Sequence, residues 1–240
     1  MPEDVVLLHG FTQTGASWEP VIRALGARYR ALAPDLRGHG AAAGVRPVSL
    51  PAVLGDLDAV VARGAALVGY SMGGRIALAY ALSRPGRLGR LVLLGASPGL
   101  DDGAERAARR GADEALAARL ERIGLAAFAE EWGAQELFAG QPPEAAAAAH
   151  ADRLRNTTAG LIAALRGLGT STLEPLWDRL GELRIPVTLA VGERDAKFRA
   201  TAERMAGALA DARLVVIPQA GHAVQLERPE AVAGLLQRSS

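Results

Sequence analysis

The run Ala65-Ala66-Leu67-Val68-Gly69-Tyr70-Ser71-Met72-Gly73-Gly74-Arg75 decides the fold. Its first half is short and continuously apolar, the pattern of a strand buried on both faces of a parallel sheet. Its second half opens a helical stretch from Met72 to Ser83. Between them stands Gly-x-Ser-x-Gly. The glycines permit a sharp turn that pushes the serine hydroxyl out over the carboxyl edge of the sheet. Five matching residues alone are a weak signal; the strand before them and the helix after them give the match its meaning.

Working outward, similar apolar runs recur at Val5 to Leu8, Tyr29 to Ala33, Arg90 to Leu94, Pro186 to Val191 and Arg213 to Ile217. Helical patterns lie between most of them: Trp18 to Ala27, Leu50 to Arg63 and Ala200 to Ala210, besides the one after Ser71. Such alternation predicts an α/β fold with a mostly parallel sheet. From about Ser97 to Leu183 the alternation stops. Helical patterns fill that interval instead, at Asp102 to Ile123, Leu125 to Trp132, Glu144 to Arg155 and Ala159 to Leu168. Gly111, Gly124, Gly140 and Pro142-Pro143 punctuate them. Residues 1–96 and 184–240 are therefore expected to form one core, with 97–183 inserted as a helical lid.

Composition narrows the function. The 240 residues carry 27 Lys+Arg against 26 Asp+Glu, a net charge of +1, which is not the footprint of a nucleic-acid binder. Half the residues are hydrophobic, enough for a full core. With no cysteine, disulfides, thiol nucleophiles and thiolate metal sites are excluded, and four histidines leave little for a metal centre. Met1-Pro2-Glu3-Asp4 holds no basic leader, and no apolar stretch approaches the roughly 18 residues of a membrane span. A cytoplasmic protein without metal or organic cofactor, a monomer or weak homo-oligomer, is expected.

A serine nucleophile needs a base, and the base an orienting acid. Asp195, in Gly192-Glu193-Arg194-Asp195, and His222, in Gln219-Ala220-Gly221-His222, each follow a strand at the edge where Ser71 emerges. Glu193 lies nearer its strand end and reads as a turn residue. His39 precedes Ser71 and has the wrong chain order for the base; with Asp35 it reads as a loop-fixing residue. His9-Gly10-Phe11 follows the first strand, so the Phe11 amide, with that of Met72, can form an oxyanion hole.

At this point the chain resembles the α/β-hydrolase fold family. His9-Gly10, Asp35-Leu36-Arg37-Gly38-His39-Gly40, the elbow at Ser71, Asp195 and Gly221-His222 stand in the family's order across nearly the whole length. The family usually has two further strands before the one ending in His-Gly. A sheet of about six strands without those edge strands follows, with Tyr29 to Ala33 as an exposed edge.

Finer features resemble one branch. They are Gly69 to Arg75, Gly192 to Phe198, Arg106-Ala107-Ala108-Arg109-Arg110, Phe128 to Trp132, Leu154-Arg155-Asn156, Gly169-Thr170 and Pro175-Leu176-Trp177. Together they are similar to the 2-succinyl-6-hydroxy-2,4-cyclohexadiene-1-carboxylate synthases of menaquinone biosynthesis. The segment Gly169 to Pro175 departs from the branch's Gly-Thr-Gly-x-Gln-Pro. The resemblance implies a lyase that eliminates pyruvate, with Ser71, Asp195 and His222 as triad. It also implies Arg75, Arg109 and Arg155 as carboxylate binders, and Tyr70 and Trp132 as pocket lining. Tyr70 and Trp132 stand equally well as packing residues. Arginine forks match a small anionic substrate bidentately, whereas burying several cations would cost an enzyme for neutral esters desolvation energy. A serine hydrolase and a non-catalytic ligand receptor remain the other readings.

Overall fold

The computed structural model describes residues 2–237; Met1, the first residue of the stretch expected to hold no leader, lies outside them. Six strands form one sheet: β1 (Glu3–Leu8), β2 (Tyr29–Leu32), β3 (Ala66–Tyr70), β4 (Arg90–Leu94), β5 (Val187–Gly192) and β6 (Ala212–Ile217). Their order is β2-β1-β3-β4-β5-β6, and every neighbouring pair is parallel. Between the strands run α1 (Glu19–Leu25), α2 (Leu50–Val60) and α3 (Met72–Ser83). Then come α4 (Gly103–Gly133), α5 (Pro143–Arg153), α6 (Thr158–Leu168), α7 (Ala196–Ala208), α8 (Val224–Glu227) and α9 (Pro229–Leu236).

Strand side chains alternate between two cores, which is why the strands read as unbroken apolar runs. Val6, Leu8, Leu67, Leu91, Leu93 and Leu189 pack with α2, α3 and α7 on one face. Val5, Leu7, Val68, Val92, Leu94 and Ala190 pack with α1 and α9 on the other. Each fully buried leucine or valine contributes roughly 1.5–3 kcal/mol. Helix α3 is buried along its length from Met72 to Leu82.

The chain leaves β1 toward β2 on one side and returns through β3 on the other, so a crevice opens at the carboxyl ends of β1 and β3. Ser71 directly follows β3 there. The registers Tyr70↔Leu94 and Gly192↔Ile217 bring the ends of β3 to β6 to the same rim.

Strand β2 is an edge of only four residues, with Leu32 44% exposed and Arg30 ion-paired to Asp4 of β1. The stretch between β4 and β5 holds α4, α5 and α6 and no strand. Gly124, at φ 76 and ψ 170, breaks α4 into two helical segments. Leu120, Phe128 and Leu161 form a small separate core there, against which Phe11 and Trp132 also pack. The two C-terminal helices α8 and α9 are absent from the sequence expectation, because the stretch 224–236 is short and interrupted by Pro229, so it shows no period. No helix among the described residues is long and apolar enough to cross a membrane.

Candidate active site

Ser71 sits at φ 51 and ψ −110, a region that costs a non-glycine residue about 1–3 kcal/mol. Its surroundings hold it there. A Cβ on Gly69 would meet the Gly73 carbonyl oxygen at 2.4 Å, and one on Gly73 would meet that of Leu8 at 2.3 Å. The Ser71 amide donates to the Leu94 carbonyl across the sheet end at 2.9 Å. The turn is thus clamped between β1 and β4, and the side chain is left facing the rim.

His222 completes the contact. Its Nε2 lies 3.2 Å from Ser71 Oγ, and its Nδ1 lies 2.6 Å from Asp195 Oδ2. Both partners are almost wholly buried, His222 at 2% and Asp195 at 6% exposure. Asp195 N-caps α7, its other oxygen accepting from the Phe198 amide at 3.3 Å. The Phe198 ring packs on the imidazole at 4.5 Å between centroids, and Tyr70 approaches at 5.2 Å. Burial, with the Asp195 carboxylate adding, raises the Tyr70 hydroxyl far above its ordinary value, so it stays protonated. Glu193 is exposed and caps the Gln219 amide, a turn role.

The loop after β1 runs beside the elbow. A Cβ on Gly10 would stand 3.6 Å from Ser71 Cβ, so the Gly10–Phe11 backbone passes next to the nucleophile. Met72 opens α3, and its amide is one of the N-terminal donors without an intrahelical partner. His9 is a structural residue: Nδ1–H donates to Gly10 O at 2.9 Å and Nε2 accepts from the Leu36 amide at 2.9 Å. Burial holds its pKa down at about 4. His39, also fully buried beside His9, lies well below its ordinary value for the same reason.

The arginines divide. Arg75 is 7% exposed; Nη1 donates to Thr170 Oγ1 at 2.7 Å and Nη2 to Leu168 O at 3.0 Å, while Nε has no partner. Burial, helped by the nearby Arg109 charge, lowers it to about 10, still a cation at neutral pH. Arg109 is half-exposed and bonded to Asp113 at 2.7 Å. Arg155 lies at the surface. Its side chain is 63% exposed and lies 3.8 Å from Asp152. Arg153, two residues earlier and so on the opposite side of the helix end, is the buried one, at 4% exposure. Its guanidinium lies 5.3 Å from the Phe138 ring, which in turn lies 6.3 Å from His222. Its Nε also lacks a partner. Trp132 packs edge-on against Phe11 at 5.1 Å and stacks with Phe128 at 5.7 Å.

Arg153 escaped sequence reading because Ala145 to Ala149 is a uniform alanine run. Without an apolar stripe, nothing in α5 announces which face turns inward. Gly95 was missed too: a Cβ there would stand 2.9 Å from His222 Cε1, so its missing side chain makes room for the imidazole. Among the described residues no group of three or more His, Asp or Glu could hold a metal ion.

A chain with this geometry has recognisable relatives. The model of the alpha/beta hydrolase family matches residues 5–235. A 2-succinyl-6-hydroxy-2,4-cyclohexadiene-1-carboxylate synthase of Klebsiella pneumoniae (strain 342) is 35% identical over 236 residues, covering 97% of this chain and 91% of its own. The structure of MenH from S. aureus superposes with a TM-score of 0.91 at 28% identity, covering 98% of this chain and 91% of that one. A thermophilic esterase from Thermogutta terrifontis, solved with malate bound, reaches 0.81 at 28% identity, covering 98% and 88%.

Proposed function

The chain belongs to the alpha/beta hydrolase family and, within it, to the 2-succinyl-6-hydroxy-2,4-cyclohexadiene-1-carboxylate synthases, and on that premise we propose how its own residues carry the reaction. The substrate is 2-succinyl-5-enolpyruvyl-6-hydroxy-3-cyclohexene-1-carboxylate. A ring proton is removed, the carbon–oxygen bond to the enolpyruvyl group breaks, and the leaving enol becomes pyruvate. No water is consumed.

In our reading His222, oriented by Asp195, takes the Ser71 proton, and the alkoxide takes the ring proton next to the succinyl carbonyl. Negative charge then gathers on that carbonyl oxygen, where the Phe11 and Met72 amides receive it. Arg75 and Arg153, with Arg109 further out, bind the substrate's carboxylates. Tyr70 and Trp132 line the pocket, and residues 97–183 act as its lid. The protein works in the cytoplasm, as a monomer or weak homo-oligomer.

One observation carries this proposal: Arg75 and Arg153 are both buried, and each keeps an Nε without a hydrogen-bond partner. Two desolvated cations near one nucleophile favour an anionic substrate, since an isolated buried charge is costly until an opposite charge meets it. The competing reading, an esterase, is favoured by the likeness to the Thermogutta terrifontis enzyme. Incubation with the enolpyruvyl substrate separates them. Stoichiometric pyruvate with the cyclohexadiene product, and no acyl-enzyme, is the expected result. No pyruvate from this substrate, together with turnover of a carboxylic ester through an acyl-enzyme on Ser71, would establish the esterase.

A further inference from the structure

We infer that Asn156, in the turn after α5, is a positioning residue for the oxyanion hole. Through Thr12 it holds the loop whose Phe11 amide faces the reacting oxygen. The inference rests on the roles of Ser71 and Phe11 proposed above.

One peptide plane, between Gly10 and Phe11, sets the aim of the donor. A trans peptide points its N–H opposite its carbonyl, so the Phe11 N–H direction is set by whatever holds Gly10 O. Two donors hold it: His9 Nδ1 at 2.9 Å and the Gln13 amide at 3.1 Å. The second bond closes a four-residue turn, Gly10 to Gln13, with Thr12 third. Thr12 has φ 69. That position of such a turn favours glycine, and a β-branched residue there is strained. Left to itself, Thr12 would relax, the Gln13 amide would swing away, and the Phe11 N–H would lose its aim.

The restraint comes from the helical insertion. Asn156 Nδ2 donates to the Thr12 carbonyl at 2.8 Å and to Arg153 O at 3.0 Å, while its Oδ1 accepts from the Gly40 amide at 3.1 Å. Thr12 is 1% and Asn156 5% exposed, so bulk water does not replace these bonds. Asp152 adds a second tie, accepting from the Thr14 amide at 2.8 Å and from the Thr14 hydroxyl. Phe11 itself packs on Trp132. The loop after β1 therefore takes its strained form against the insertion, and the same turn that offers Asn156 to Thr12 follows directly on the buried Arg153. Seating the insertion and aiming the oxyanion donor become one event.

The test compares wild type, Asn156→Ala, Thr12→Gly and the double variant in two assays. One is pyruvate release. The other is the rate at which an alkyl fluorophosphonate modifies Ser71: the Oγ–P bond forms, fluoride leaves, His222 takes the proton, and the phosphoryl oxygen occupies the oxyanion hole. Asn156→Ala should slow phosphonylation and kcat by about 10- to 100-fold, the scale of a misaimed group, with KM changed less than about threefold. In the Thr12→Gly background the same replacement should cost under about threefold, because glycine holds positive φ without strain. Wild-type phosphonylation in Asn156→Ala, or an equal loss in both backgrounds, would overturn the inference. Should Asn156→Ala not fold, Asn156→Asp keeps the Gly40 contact, loses the donor to Thr12, and is held to the same expectation. If wild type is phosphonylated yet releases no pyruvate, the synthase assignment fails alone and phosphonylation still decides Asn156. If Ser71 is not modified at all, both fail.

Discussion

A methyl group placed on Gly95 would stand 2.9 Å from Cε1 and 3.0 Å from Nδ1 of His222. Gly95 follows β4 directly, at φ 51, so both its backbone and its missing side chain suit that one place. We expect Gly95→Ala to push the imbidazole ring off the Ser71–Asp195 line and to lower kcat by about 100-fold, the cost of displacing a reacting group by about an ångström. Steady-state kinetics beside far-UV circular dichroism check it. A folded variant with normal kcat would show that the ring has room to spare.

Ser71→Ala and His222→Ala should each reduce kcat by roughly 10³-fold or more, and the double variant should be scarcely worse, because the two act as one proton path. Asp195→Asn should be nearly as damaging, since His222 Nδ1–H would lose its charged acceptor and the imidazole its tautomer. Additive losses in the Ser71/His222 cycle would mean that the two residues do not share a proton.

The arginines separate the synthase from an esterase. Arg75→Ala and Arg153→Ala should each cost about 2–4 kcal/mol in kcat/KM for the anionic substrate, with lysine restoring only part. Arg155→Ala should stay within about 0.5 kcal/mol of wild type, as for other exposed positions. A neutral ester, if turned over, should respond little to any of them. Equal effects of Arg153→Ala and Arg155→Ala on pyruvate release would contradict the inward placement of Arg153 as the reason for its role.

Stability should fall on the acid side through two buried histidines. His9 is held at about 4 and His39 well below its ordinary value, both first by burial. Each stays neutral in the folded state and charges more readily when unfolded. Their contribution is therefore complete above about pH 6.5 and is lost as pH falls toward 4, at up to roughly 1.4 kcal/mol per pH unit per imidazole. Urea midpoints at pH 7, 6 and 5 should decline, and His39→Gln should flatten the decline. A midpoint constant over that range would show that neither histidine is shifted.

Much of this architecture is legible in the chain because the determining interactions are local. Strands β1, β3, β4 and β5 are apolar runs filled largely on both faces, and the turn at Ser71 needs glycines that the sequence displays. What escaped depends on distant neighbours. Gly95 matters only because His222, far along the chain, arrives beside it. Arg153 and Arg155 look alike until the helix end is given a face. Asn156 reads as an ordinary polar turn residue until the Thr12 carbonyl is set against it.

The helical stretch between β4 and β5 also has a kinetic consequence. It places about 90 residues between two strands that pair side by side, so the sheet must close across a long loop. Strands β1 to β4 can assemble through short crossovers, and β5 with β6 through another, before the two halves dock. Ser71 belongs to the first half, Asp195 and His222 to the second. A folding intermediate with either half formed would carry the hydroxyl without its base, or the base without its hydroxyl. A reactive serine therefore needs both halves docked, and β1 to β4 alone would carry the hydroxyl without its base.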